Sequence, residues 1–389
     1  MYAIASAPAN NTTTHVIATT LRHVLFVPPL MCTQPEPPLQ NPRPRHESHV
    51  STWLRRAVTI PAVTLAWALA VLTAPLTFPL AALADVLSNW KFPFVRTLAM
   101  LLVYLTAEVI GIGRSFTTWL RWKTGHRDHA TFLEDTYRLQ HWWAMTLYRW
   151  AARLYSLRIE IDESRLGEPR QSIVFVRHVC IFDNLVPYLT LTHNHGIRMR
   201  WAINSYLLRD PCLDIAGHRL PNTFVRNDRT DGAAQAARVT GLLDGLGARE
   251  GVQLFPEGAL FHPARRERAL ARLREGGKHL LYERARQLRG TLPPRLGGAL
   301  GLLENNPGAD AVFISHTGLE AAGSYRAILR GGLVGQHLRI RAWRIPYDDI
   351  PRGHDALASW FLDQWEEIDR FVQEQVETPA AAPEPVTTG

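Results

Sequence analysis

The chain has 389 residues, 46% of them hydrophobic, a net charge of +8 and a pI near 9.7. That length allows two or three domains, or one large domain with appendages, and the charge suits nucleic acid, anionic lipid or a phosphorylated substrate without choosing among them. Three widely separated cysteines, Cys32, Cys180 and Cys212, argue against a disulfide framework or a zinc site and for a reducing, cytosol-facing environment.

Residues 1–50 contain NNTTT and the proline-rich PEPPLQNPRPR, and show no sustained hydrophobic period. Disorder is expected there. No basic segment precedes an apolar core, so the start is a poor signal peptide. An apolar block then runs from Ala57 to Leu87 with Asp85 as its one charge. It is longer than the ~20 residues of a membrane-spanning helix. Pro61, Pro75 and Pro79 within it predict a kinked helix or a re-entrant segment. A second apolar segment, Phe92 to Gly113, is interrupted by Arg96 and Glu108. Arg55 and Arg56 precede the pair; Arg114, Arg121 and Lys123 follow it. Basic flanks on both sides predict a hairpin with both ends in the cytosol. The competing reading is a buried pair of core helices. Twelve tryptophans suit a membrane–water interface.

Residues 130–157 read as an amphipathic helix, with Trp142, Trp143, Tyr148, Trp150 and Tyr155 interleaved with Arg138, Arg149 and Arg153. A membrane-surface helix and an aromatic core helix are equally open. From residue 158 strands and helices alternate. Strands are predicted at 157–161, 172–176, 198–203, 222–226, 252–255, 311–315 and 338–345. Helices are predicted near 183–193, 230–247, 265–289, 295–304 and 355–376. The alternation implies an α/β fold with a largely parallel central sheet flanked by helices. The expected organisation is a disordered segment 1–50, a membrane-associated helical hairpin 51–128, an α/β domain 129–377 and a disordered tail 378–389.

Three segments place polar residues where predicted strands end. His178 closes a β-branched run, and Asp183 follows five positions later. On one helix such a pair diverges by roughly 140°. The two meet only if His178 lies in a strand-to-helix turn and Asp183 in the first helical turn. The carboxylate then holds one imidazole nitrogen and frees the other to take a proton. The ordinary alternative is a strand-terminal histidine beside a capping aspartate. Phe255-Pro256-Glu257-Gly258 stops a second strand: the proline ends the ladder, Glu257 is held at the edge, and Gly258 permits a turn or close approach to a ligand. Its alternative is a plain turn with a solvated glutamate. Arg226 ends a third strand beside a helix start, a place that suits a phosphate. A surface arginine is equally compatible. His316 follows a fourth strand. Ligands of open α/β sheets bind at the carboxyl ends of parallel strands, so the coincidence of these ends weighs more than any single motif. Nucleophile-elbow, phosphate-loop and dinucleotide fingerprints are absent from the sequence. His193 and His195 have no obvious metal partners, and the apolar neighbours of Cys180 favour packing.

The ordered set H-x4-D, a strand ending in arginine, then F-P-E-G and another apolar strand resembles the glycerolipid acyltransferases, in particular the 1-acylglycerol-3-phosphate and lysophospholipid acyltransferases. His178 and Asp183 fit the first block of that family; GHRLPNTFVRND, with Gly217 and Arg226, the second; Phe255 to Gly258 the third. LPPRLGGALGLLENNPGADAVFISHTGLE and the C-terminal RIPYDDIPRGHDALASWFLDQWEEIDRFV resemble its eukaryotic-like branch. The likeness spans about residues 140–375. Two departures stand out. The family has asparagine before the histidine, here Arg177, and Thr-Arg after the glycine, here Ala259-Leu260. The second puts the usual phosphate contacts in doubt, with Arg265, Arg266 and Arg295 as candidate replacements.

The resemblance implies a membrane-bound enzyme that moves a fatty acyl group from acyl-CoA or an acyl carrier protein to a lysophospholipid hydroxyl, foremost that of 1-acylglycerol-3-phosphate. His178 is then the base, Asp183 its orienting partner, and Arg226, Glu257 and Gly258 the acceptor site. It implies no metal or prosthetic group; the basic residues show no nucleic-acid motif, so a nucleic-acid partner is not expected, and the basic flanks put the catalytic domain on the cytosolic face. The alternative is a membrane-anchored lipid-binding protein altered in catalysis.

Overall fold

The structure is a computed structural model, and it describes residues 49–88, 90–225 and 232–377. Of the segments expected to be disordered, 1–50 and 378–389, residues 1–48 and 378–389 lie outside the described residues, while His49 and Val50 open the first helix.

Helix α1, His49–Ser88, is a continuous helix of 40 residues, about 60 Å long at 1.5 Å per residue. It runs through Pro61, Pro75 and Pro79, so the re-entrant expectation does not hold. After a turn through Trp90 to Phe92, α2, Pro93–Lys123, folds back along α1. Asp85, the single charge of the apolar block, is buried at this turn. Its carboxylate accepts from the Phe94 and Val95 N–H groups at 3.0 and 2.9 Å and so caps α2 from the neighbouring helix. Trp67 donates to Thr106 across the pair. Both helices are long and apolar enough to cross a membrane by length and composition, and none of the most apolar stretch of α1 is buried against the chain.

Helix α3, His129–Leu154, is N-capped by Asp128. It packs on α2 and on the sheet through Ala144, Met145, Leu147 and Ala151, with Trp142, Trp143 and Tyr148 against the same core. It is a core helix over most of its aromatic face; Trp150 stays exposed.

The strands are β1 (Arg158–Arg165), β2 (Ser172–Val176), β3 (Arg198–Asn204), β4 (Thr223–Val225), β5 (Glu250–Leu254), β6 (Asp310–Thr317) and β7 (His337–Ile345). They form one sheet in the order β1-β7-β6-β2-β5-β3-β4, parallel at every pairing except β6 with β7. The fold is therefore α/β with a mostly parallel sheet. Between the strands lie α4 (Leu185–Pro187), α5 (Pro211–Arg219), α6 (Gly232–Thr240), α7 (Pro263–Glu275), α8 (His279–Ala285), α9 (Leu296–Glu304) and α10 (Tyr325–Leu329); α11 (His354–Glu377) follows β7. Central strand β2 is buried on both faces, as its unbroken apolar run predicts. Val174 and Val176 face the α2–α3 side, while Ile173 and Phe175 face α6, α9 and α11. On the latter side Phe175 packs edge-on against Phe361 at 4.9 Å between ring centres.

Several elements differ from the sequence reading: β1 runs on to Arg165, and the helix predicted near 183–193 is a 3-10 turn, the short α4 and a π-helical stretch. The helix predicted over 265–289 is split into α7 and α8 by Gly276-Gly277, the second at φ +66°. Helix α5 was unassigned, although Asp210 caps it and Pro211 opens it. Asp214 of α5 pairs with both Arg55 and Arg56 at 2.8 and 2.9 Å, so the basic flank of α1 is clasped to the α/β fold.

Candidate active site

Strand β2 ends at Val176 and a short 3-10 helix begins at Ile181. His178 lies in the turn and Asp183 in that first helical turn, which is the geometry the H-x4-D spacing requires. His178 Nδ1 stands 3.0 Å from Asp183 Oδ2. The same oxygen accepts from the backbone N–H groups of Val179 and Cys180, the latter at 2.8 Å. The Cys180 thiol donates to Oδ1 at 3.1 Å, and His316 Nε2 lies 3.5 Å from that oxygen. Asp183 has no exposed surface. Burial pushes its carboxyl up, but His316, the hydrogen bond from His178 and the Cys180 N–H outweigh this and hold it below the ordinary aspartate range.

The turn after the neighbouring strand β5 supplies Glu257. The carboxylate accepts from the His178 N–H at 3.2 Å through Oε1. Its Oε2 is buried and has no hydrogen-bond partner among the described residues. Burial pushes the Glu257 carboxyl well above the ordinary range, with Arg177 opposing. Phe255 stacks on the His178 ring at 4.1 Å and 21°. The two carboxylates thus satisfy the N–H groups of 178, 179 and 180 in succession and fix the turn. Gly258 sits at φ +63°, and a Cβ there would lie 2.8 Å from the Arg295 guanidinium. The left-handed backbone favours glycine, and a Cβ would also displace the Arg295 guanidinium. The Arg295 N–H is held by the Pro256 carbonyl at 2.8 Å.

Arg177, where the resemblance has asparagine, does not line the cavity that His178 faces. Its buried guanidinium donates to the Gly290 carbonyl through Nε and Nη2, and to the His316 carbonyl and Glu320 carboxylate through Nη1. It locks the end of β2 to the end of β6 and to the loop before α9. His316 belongs to β6 rather than following it, and is wholly buried. Burial pushes its imidazole below the ordinary histidine range, with Asp183 opposing. Strand β4 ends at Val225, and Arg226 lies outside the described residues. Of the replacement cations, Arg265 and Arg295 line the cavity with His178. Arg266 instead donates to the Leu288 and Arg286 carbonyls and does not line it.

That cavity has a volume of about 1820 Å³. One wall is apolar, built by Met100, Leu101 and Tyr104 of α2 and Trp143, Ala144 and Leu147 of α3. The lining also includes Arg265, Arg268 and Arg272 of α7 and the Pro293–Gly298 stretch. Sequence reading missed the roles of Arg177, Cys180 and His316. Their signal was only adjacency to the strand ends, which does not say which way a side chain turns.

No family model matches the chain, and no curated protein matches it. Among solved structures it is similar to the crystal structure of the 1-acyl-sn-glycerophosphate (LPA) acyltransferase PlsC from Thermotoga maritima. The two share 13% identity with a TM-score of 0.47, over 74% of this chain and 100% of that one.

Proposed function

We propose that this protein is a membrane-associated O-acyltransferase that moves a fatty acyl group from an acyl thioester to the hydroxyl of a lysophospholipid, foremost 1-acylglycerol-3-phosphate. The observation that supports the reading is the His178–Asp183 pair, set in the wall of a large cavity lined by apolar and cationic residues. Asp183 takes the Nδ1 proton of His178 in a hydrogen bond and leaves Nε2 as the acceptor on the ring. The acceptor hydroxyl gives its proton to Nε2 as its oxygen attacks the thioester carbonyl. The C–O bond forms, the C–S bond breaks, and the imidazolium returns the proton to the departing thiolate. No acyl-enzyme is required, because the thioester is already activated. A base placed this way supplies ~10²–10⁴-fold in rate.

Glu257 and Gly258 shape the acceptor end, and Arg295 meets an anionic head group there; Arg226, outside the described residues, is a further cation for that head group in this reading. In this reading residues 51–128 are the membrane hairpin, residues 129–377 the transferase domain on the cytosolic face, and the chemistry uses no metal or prosthetic group. Both substrates partition into the bilayer that α1 and α2 would enter. The test is incubation of the purified protein with mixed lysolipids and labelled acyl donors, followed by identification of the lipid formed. His178→Ala is expected to abolish transfer while the protein stays membrane-bound; full activity in that variant sinks the mechanism. Ala259-Leu260, where the resemblance has Thr-Arg, favours the second reading, a lipid-binding protein without turnover. Binding with no product across the panel would establish it.

A further inference from the structure

The two carboxylate oxygens of Asp183 have different partners. Oδ2 meets His178 Nδ1 and the N–H groups of Val179 and Cys180. Oδ1 takes its hydrogen bond from the Cys180 thiol at 3.1 Å, and His316 Nε2 stands 3.5 Å from it. Cys180 and His316 are wholly buried and neither lines the cavity, so no substrate reaches them. The hydrogens follow from the partners. Burial, with Asp183 beside it, pushes the Cys180 thiol well above the ordinary cysteine range, so it keeps its proton and donates. His316 Nε2 lies 3.1 Å from the Arg177 carbonyl and faces Asp183 Oδ1. Both are acceptors, so Nε2 carries a hydrogen. A buried carboxylate is costly to leave with one oxygen bare. The other charged groups around this corner are Arg177 at the end of β2, Glu257 after β5 and Glu320 after β6. The Arg177 guanidinium is spent on Gly290, the His316 carbonyl and Glu320. Among the described residues the ion-pair partners of Asp183 are His178 and His316, with no arginine or lysine. The thiol and the imidazole N–H therefore carry the work at Oδ1.

We infer that Cys180 and His316 are positioning residues of the His178–Asp183 pair: they hold Asp183 Oδ1, so that the carboxylate stays ionised with Oδ2 on His178. This rests on the proposed role of His178 as base and deepens it with two residues that act through Asp183 and touch no substrate. His316 acts twice, because the Arg177 carbonyl that it also holds belongs to the peptide leading into His178. Removing donors from an anion makes it hold a proton more tightly. The pair titrates as one unit, so without these donors it takes up its proton at higher pH. A role in packing alone lowers stability and leaves that titration where it is.

The test uses the full-length protein in detergent micelles. Cys180→Ala/His316→Leu should lower kcat for acyl transfer at pH 7 by about tenfold, part of the ~10²–10⁴-fold that a placed base supplies, with KM little changed. The acidic limb of its pH–rate profile should move up by about 0.5–1 pH unit, the worth of one or two weak hydrogen bonds to a charged group. Cys180→Ser/His316→Gln, which puts a donor back at each position, should return both readouts most of the way to the parent. Cys180→Ala alone removes only the sulfur, and it should show part of the same shift if the double variant does not fold. An unmoved limb in these variants overturns the inference, and so does a shift that the Ser/Gln pair leaves in place. Reaction of His178 with diethyl pyrocarbonate across pH, followed by mass spectrometry of its peptide, reads the same titration without turnover. Its midpoint should rise in the double variant, and an unmoved midpoint defeats the assignment. A failure of every donor in the transfer assay, with the midpoint raised, defeats the proposed reaction and not these two residues.

Discussion

Asp183, with no exposed surface, holds His178 Nδ1 at 3.0 Å while accepting two backbone N–H groups on the same oxygen. Replacing it by asparagine keeps the shape but removes the charge that stabilises an imidazolium and fixes the tautomer. Asp183→Asn is expected to lower single-turnover acyl transfer by ~10²–10⁴-fold, with the circular dichroism spectrum retained. Transfer within twofold of the parent would mean that Asp183 only shapes the turn.

The two carboxylates of the turn have opposite pH signatures. Asp183 is held below its ordinary value, so its contribution to stability is complete above the unfolded pKa of about 3.9 and is lost as pH falls through the folded one. Glu257 is pushed well up, so its contribution is complete below the unfolded pKa of about 4.3 and is lost as pH rises toward the folded one. Glu257→Gln should therefore melt higher than the parent at pH 7, and the gap should close below pH 4. Melting curves between pH 3 and pH 8 read this directly. A lower melting temperature at pH 7 contradicts it.

Arg177 spans Gly290, His316 and Glu320 from a buried position. Removing one member of a buried ionic network costs about 3–5 kcal/mol, and an ammonium cannot reproduce the forked geometry. Arg177→Ala should lose that much in urea unfolding, and Arg177→Lys should recover only part of it. Asparagine, the residue the resemblance would place there, should be as damaging as alanine.

Gly258→Ala meets two obstacles, the left-handed backbone and the Arg295 guanidinium. The backbone alone costs ~1–2 kcal/mol. Arg295→Ala removes the second obstacle and leaves the first, so the double variant should be more stable than the sum of the two singles predicts, by ~0.5–3 kcal/mol. Additive losses would show that the contact is loose.

Gly111 of α2 lets α5 approach: a Cβ there would lie 2.5 Å from Cys212 Sγ. Gly111→Ala should cost about 1–3 kcal/mol by overpacking. Cys212→Ala in that background should restore much of the loss, because the Cys212 Cβ is 3.9 Å away. Thermal melts of the two singles and the double decide it.

The sequence by itself determined the strand cores and most helix bodies, because period-2 and period-3.6 burial is local information. It also put Glu257 just past a strand end, since proline and glycine mark that stop locally. It stated the turn that His178 must occupy if it is to meet Asp183, without deciding between that and a strand-terminal histidine. What it did not carry was direction and distance. Arg177 and His178 are neighbours in the chain, yet one turns into the protein to bind Gly290, 113 residues away, and the other faces the cavity. Asp85 read as a lone charge in an apolar run until the fold-back of α2 gave it two N–H partners. Arg55 and Arg56 read only as a basic flank, and the fold adds Asp214 of α5 as their partner. Only tertiary structure settles such pairs, because a side chain's partner is chosen by what packing brings within about 3 Å, and residues that far apart in sequence leave no periodic trace of meeting.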